Sequence, residues 1–110
     1  MRTSFRAMDS ISPEQRLYTA LAAIPPGYVV TYGQLASLSG WPRRARWVGQ
    51  QLKRLPTGTT LPWHRVINAA GKISFPVGSD KAHEQAKRLR QDGVEVVHGK
   101  VSLAKYQWPG

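Results

Sequence analysis

Group transfer to a protein needs a nucleophile, and this chain of 110 residues contains no cysteine. It therefore has no thiolate, the cysteine form that attacks electrophiles and ligates zinc, and no disulfide framework. The three histidines, His64, His83 and His98, do not stand at metal-ligand spacings. The most informative segment is Pro62-Trp63-His64-Arg65-Val66-Ile67. Trp63 at its centre offers one N–H donor and no nucleophilic lone pair. Its chemistry is limited to stacking, packing and one donated hydrogen bond. A glycosylase or endonuclease would find few groups to work with here.

The charges point to a partner. The formal net charge is +10, and all six acids are Asp9, Glu14, Asp80, Glu84, Asp92 and Glu95. None lies between Arg16 and Ser79, a stretch that carries Arg16, Arg43, Arg44, Arg46, Lys53, Arg54, Arg65 and Lys72. A field of one sign over half a domain attracts polyanions, nucleic acid first. A basic face kept for solubility, or one drawn to anionic lipid, is the competing reading. Lipid would favour a long basic amphipathic helix, and the sequence shows none. No apolar run is long enough to cross a membrane, and the N-terminus lacks the apolar core of a signal peptide. The expectation is a cytoplasmic, nucleoid-associated monomer without a cofactor. The hydrophobic fraction of 41% suffices for one modest core. The whole chain, 1–110, reads as a single domain with residues 1–11 a loose tail.

These residues must be positioned by short elements. Ser12-Pro13-Glu14-Gln15 opens a helix as a capping box, and Leu17, Leu21 and Ile24 form its buried stripe. Pro25-Pro26-Gly27 ends it, and Tyr28-Val29-Val30 is extended. Thr31-Tyr32-Gly33-Gln34 reads as a second capping box, with Leu35 and Leu38 inward and Gly40 as the stop. A third helix is expected from about Arg43 to Leu55. Ala45, Val48, Leu52 and Leu55 pack, while Arg43, Arg46, Trp47, Gln50 and Arg54 face outward. A short helix, a turn and a basic amphipathic helix suggest a helix-turn-helix. Asn68 to Gly71 is a turn, Lys72 to Ser74 is extended and Phe75 to Gly78 is a loop. A polar helix from about Ser79 to Gln91 turns Ala82, Ala86 and Leu89 inward and stops at Gly93. Val94 to Val97 alternates like a strand. Val101, Leu103, Tyr106 and Trp108 pack back on the domain. The expected fold is mainly α with short extended segments, a winged helix-turn-helix-like DNA-binding domain.

Four blocks carry a resemblance. They are Ile24-Pro25-x-Gly27, Thr31-Tyr32-Gly33-Gln34-Leu35-Ala36, Ala45-Arg46-x-Val48-Gly49 and Pro62-x-His64-Arg65-Val66-Ile67. In this order, from about Pro13 to Val94, the chain resembles the C-terminal DNA-binding domain of the O6-alkylguanine-DNA alkyltransferases. Trp63 stands where their motif Pro-Cys-His-Arg-Val has the reactive cysteine. With that replacement the chain is similar to the alkyltransferase-like proteins. The resemblance covers the C-terminal domain of the enzymes only, and the expectation is a protein without their N-terminal domain.

The resemblance implies a helix-turn-helix in the minor groove, with small residues such as Gly49 allowing close approach. It implies that Arg46 enters the base stack as a finger and that Tyr32 crowds the 3′ phosphate to help rotate the nucleotide out. The implied DNA-binding residues are Tyr32, Arg43, Arg44, Ala45, Arg46, Trp47, Gly49 and Gln50. The implied lesion pocket comprises Tyr32, Pro62, Trp63, His64, Arg65, Val66 and Ser74. Trp47 and Gln50 stand where the enzymes often carry smaller residues. His64 aligns with a histidine that helps deprotonate the cysteine, oriented by an acid at Asp92; here it would hold the site in shape. Leu55 replaces an asparagine of that network, and Pro76 stands about where some alkyltransferase-like proteins carry arginine.

The function expected from this is non-catalytic recognition of O6-alkylguanine in double-stranded DNA, with the lesion flipped into the pocket and directed to nucleotide excision repair proteins. The alternative is a helix-turn-helix regulator or architectural protein without lesion recognition.

Overall fold

The computed structural model describes residues 11–110. The tail expected over residues 1–11 thus lies outside the described residues except for Ile11, which is exposed. Helix α1 (Pro13–Ala22) opens on a complete capping box. The Ser12 Oγ accepts from Gln15 N at 3.1 Å, and the Gln15 side chain accepts from Ser12 N at 3.3 Å. Two of the first orphan N–H groups are satisfied reciprocally. Leu17 and Leu21 are buried on its inner face, and Ile24 beyond it joins them.

Strand β1 (Val30–Thr31) pairs in parallel with β2 (Val66–Ile67), Val30 opposite Val66. Successive strand side chains point to opposite faces, so this short pair divides two cores. Val30 and Val66 join Leu17, Leu21, Leu35 and Val48 on one side. Val29 and Ile67 join Leu89, Val94 and Val101 on the other.

Helix α2 (Tyr32–Leu38) is capped by the Thr31 hydroxyl, which accepts from Gln34 N at 3.1 Å. The second half of the expected capping box does not form. Gln34 instead donates from Nε2 to the Trp108 carbonyl at 2.6 Å and accepts from Gln107 Nε2 at 2.8 Å. Its inner face is also corrected: Leu35, Ala36 and Ser39 are buried, and Leu38 is exposed. At roughly 100° per residue, a core direction between Leu35 and Ala36 leaves Leu38 about 110° away. Ser39 returns to the inner face and donates to the Leu35 carbonyl at 2.7 Å.

Helix α3 (Ala45–Lys53) is shorter than the expected Arg43–Leu55. Arg43 adopts φ 68°, a left-handed conformation that a helix cannot include, and Arg44 at φ −111° is still outside it. Helix α2 packs chiefly against α3. Trp47, grouped above with the outward stripe, is partly buried against the first core.

Helix α4 (Asp80–Gln91) is capped by Ser79 and ends at Asp92, followed by Gly93 at φ 88°. Leu89 is buried, Ala82 and Ala86 partly so. Gln85, passed over among the polar residues, is almost fully buried. Residues 94–97 alternate in burial as expected, but their only bridge is Val97 with Lys100. A final short helix, α5 (Leu103–Tyr106), forms where the sequence indicated only a packing tail. The Asn68–Gly71 turn needs its glycine. Gly71 has φ 78°, and a Cβ there would lie 2.5 Å from the Val101 carbonyl oxygen. None of the helices described is long and apolar enough to cross a membrane.

Candidate nucleic-acid interface

Pro62 has no N–H and leads into a single 3₁₀ turn, Trp63–Arg65. Side chains on such a turn splay by roughly 120° per residue. Trp63 therefore faces one way, and His64 and Arg65 face others. Trp63 lines a cavity of about 730 Å³ between the 3₁₀ turn, α3 and α4. That volume falls within the roughly 300–1,000 Å³ typical of pockets for small ligands. The indole is only 7% exposed. Phe75 and His64 meet it edge to face, with centroids 6.1 Å and 6.3 Å away. Such pairs fix ring orientation. Two cations from α4 lie over the ring: Lys81 Nζ at 4.2 Å and Arg88 Cζ at 5.4 Å from its centroid. Arg88 is paired with Glu84 at 2.7 Å.

Behind the 3₁₀ turn lies a polar clamp. Arg65 donates from Nε and Nη2 to the two oxygens of Asp92 at 2.8 Å and 3.2 Å, and from Nη1 to the Ile24 carbonyl at 2.8 Å. His64 Nε2 bonds the same carboxylate at 2.9 Å. Gln85 Nε2 donates to the His64 and Val66 carbonyls at 3.1 Å and 2.8 Å. One turn of chain is thereby pinned to the segment just after α1 and to both the middle and the end of α4.

Burial lowers the pKa of His64 from its ordinary 6.5, although the hydrogen bond and charge of Asp92 oppose the shift. A neutral His64 bonded to a carboxylate through Nε2 must carry its proton there. Its Nδ1 is then a bare acceptor, and it has no partner among the described residues. For Asp92, burial would raise the pKa, but the bonds from Arg65 and His64 outweigh it and the net shift is downward.

Both depressed values mean that the unfolded chain takes up protons more readily than the folded one, so stability falls on acidification. The His64 contribution is complete above 6.5 and fades as pH falls towards the lower folded value; the Asp92 contribution follows below 3.8. Urea unfolding at pH 7.5 and 5.0 should show reduced stability at the lower pH. The drop should be smaller in His64→Gln, which does not titrate. An unchanged drop in that variant would remove His64 as its source.

Residues 12–94 match the family of the 6-O-methylguanine DNA methyltransferase DNA-binding domain. The chain belongs to this family. It is 52% identical over 95 residues to the DNA base-flipping protein of Escherichia coli K12, covering 86% of this chain and 72% of that protein. It is 42% identical over 98 residues to alkyltransferase-like protein 1 of Schizosaccharomyces pombe, covering 84% and 91%. The crystal structure of S. pombe Atl1 with damaged DNA containing O6-carboxymethylguanine superposes with a TM-score of 0.81 at 41% identity, covering 89% of this chain and 95% of that one.

In this member of the family, eight of the residues singled out from sequence meet at the cavity: Tyr32, Ala45, Arg46, Gly49, Gln50, Trp63, Val66 and Ser74. A Cβ on Gly49 would meet only the Tyr32 ring, at 3.9 Å, so the fold itself does not demand glycine there. Three residues of the expected pocket do not line it. Pro62 precedes the turn, and His64 and Arg65 are committed to Asp92 on its far side. Arg43 and Arg44 are exposed in the turn before α3, and Trp47 packs inward. Sequence reasoning missed the α4 wall of Lys81, Glu84, Gln85 and Arg88, together with Phe75. The signal was present: 81, 84, 85 and 88 follow the spacing of one helix face. No cluster of three potential metal-ligating side chains occurs among the described residues.

Proposed function

We propose that this protein is a non-catalytic sensor of O6-alkylguanine in double-stranded DNA. It binds through the minor groove with α2 and α3, extrudes the modified nucleotide into the cavity beside Trp63, and directs the site to nucleotide excision repair. It acts as a cytoplasmic, nucleoid-associated monomer. The observation that carries this reading is that Trp63, which the motif resemblance puts at the nucleophile position, walls a cavity whose other side is the basic helix α3. Arg46, on the cavity side of α3, is the finger that replaces the extruded base, and Tyr32 crowds the phosphate. Extrusion costs a few kcal/mol, which contacts in a shaped pocket offset. The names of the relatives, a base-flipping protein and an alkyltransferase-like protein bound to damaged DNA, support it.

Incubation with O6-methylguanine DNA carrying a labelled methyl group leaves the label on the DNA, because an indole cannot displace it. Label on the protein or free base in solution would contradict the proposal. Trp63→Ala is expected to cut discrimination between lesion and guanine duplexes by about 1–3 kcal/mol, the worth of a base–aromatic stack. Titrations with guanine, O6-methylguanine and a bulkier adduct measure it. In the wild type, affinity should hold as the adduct grows, since no reacting carbon has to be aligned. Equal affinity for all three duplexes would favour a plain DNA-binding regulator.

A further inference from the structure

The cavity carries four cationic side chains, Arg46 and Lys53 from α3 and Lys81 and Arg88 from α4, against one acid, Glu84. The two over the indole are not equivalent. Arg88 lies 5.4 Å from the ring centroid, and its charge is answered by Glu84 at 2.7 Å. Lys81 lies closer, at 4.2 Å, and makes no ion pair among the described residues. Its ammonium is thus an unanswered positive charge held only by the face of a buried ring.

We propose that Lys81 is a specificity-determining residue that favours O6 substituents ending in a carboxylate over uncharged ones of the same shape. The inference rests on the lesion-sensor reading. A base resting against Trp63 must displace the lysine from the ring. The flexible four-carbon stem lets the ammonium swing while remaining beside the site and turn any of its three donors to a carboxylate. A methyl or benzyl adduct gives it nothing to exchange for the ring. A terminal carboxylate gives it a full opposite charge, within walls that exclude part of the solvent and strengthen the attraction. Lys81 itself is solvent-exposed, so water screens the pair and the preference is a modest one.

The test compares four duplexes containing guanine, O6-methylguanine, O6-carboxymethylguanine and its neutral amide isostere, O6-carbamoylmethylguanine. Affinities are read by fluorescence anisotropy for the wild type and for Lys81→Met, which keeps an apolar stem of similar length. The wild type should prefer the carboxylate to the amide by about three- to tenfold, as expected for a screened ion pair. The preference should shrink with added salt and vanish in Lys81→Met. Equal binding of carboxylate and amide by the wild type would overturn the proposal. So would a preference that survives in Lys81→Met while all four duplexes weaken alike, which is the behaviour of a phosphate contact. If O6-methylguanine outbinds guanine but the carboxylate and amide bind equally, only the role of Lys81 falls. If no adduct outbinds guanine, the sensor reading falls and takes this one with it.

Discussion

Asp92→Ala is expected to destabilise the fold by about 3 kcal/mol, the lower end of the loss when one partner of a buried ion pair is removed. The Arg65 and Asp92 side chains are 14% and 13% exposed, so water only partly replaces the lost acceptor. Arg65 would keep its bond to the Ile24 carbonyl, and His64 would lose the one side-chain hydrogen-bond partner it has among the described residues. Asp92→Asn should lose less, because an amide oxygen still accepts one hydrogen bond. Urea denaturation of the three proteins at neutral pH measures this. A loss below about 1 kcal/mol for Asp92→Ala would class the clamp with surface ion pairs, which contribute little.

Arg46→Ala should weaken binding to a lesion duplex by about 3 kcal/mol, or roughly a hundredfold, the size expected when a central arginine anchor is removed. Lys53→Ala is the sharpest control. Both residues line the cavity, but they sit at opposite ends of α3, roughly 10 Å apart along its axis. Only one can occupy the space left by an extruded base. Lys53→Ala and Arg54→Ala should weaken all duplexes alike and lower the salt slope by about one unit, as phosphate contacts do. Equal losses from the three variants would show that Arg46 is no finger.

Helix starts were legible where a hydroxyl cap precedes an apolar period. Ser12 and Thr31 each accept the hydrogen bond their position in the sequence implies, whereas Ser79, read as the first residue of a polar helix, is its cap. The start of α3 was not, because nothing about an arginine announces a left-handed backbone at residue 43. The cavity was half legible. Its α3 wall and Trp63 followed from motif blocks. Its α4 wall did not, because a charged helix face reads as solvated until another element is known to lie opposite. Likewise, the resemblance implied that His64 and Arg65 share a pocket with Trp63. The 3₁₀ turn separates them, and no residue type in the segment specifies that turn.

The hydrogen bonds that join Gln34 to the Gln107 side chain and the Trp108 carbonyl have a kinetic consequence. Gln34 and Trp108 are 74 positions apart. Val29 in turn accepts from Trp108 N at 2.8 Å and donates to the Tyr106 carbonyl at 2.9 Å. On a translating ribosome, α2 is synthesised well before the residues that lace it. Contacts this distant in sequence close slowly. Helices α2 and α3 of a nascent chain can be locally helical early, but α2 and the extended segment before it are laced to the C-terminal segment only once residues 106–108 have emerged.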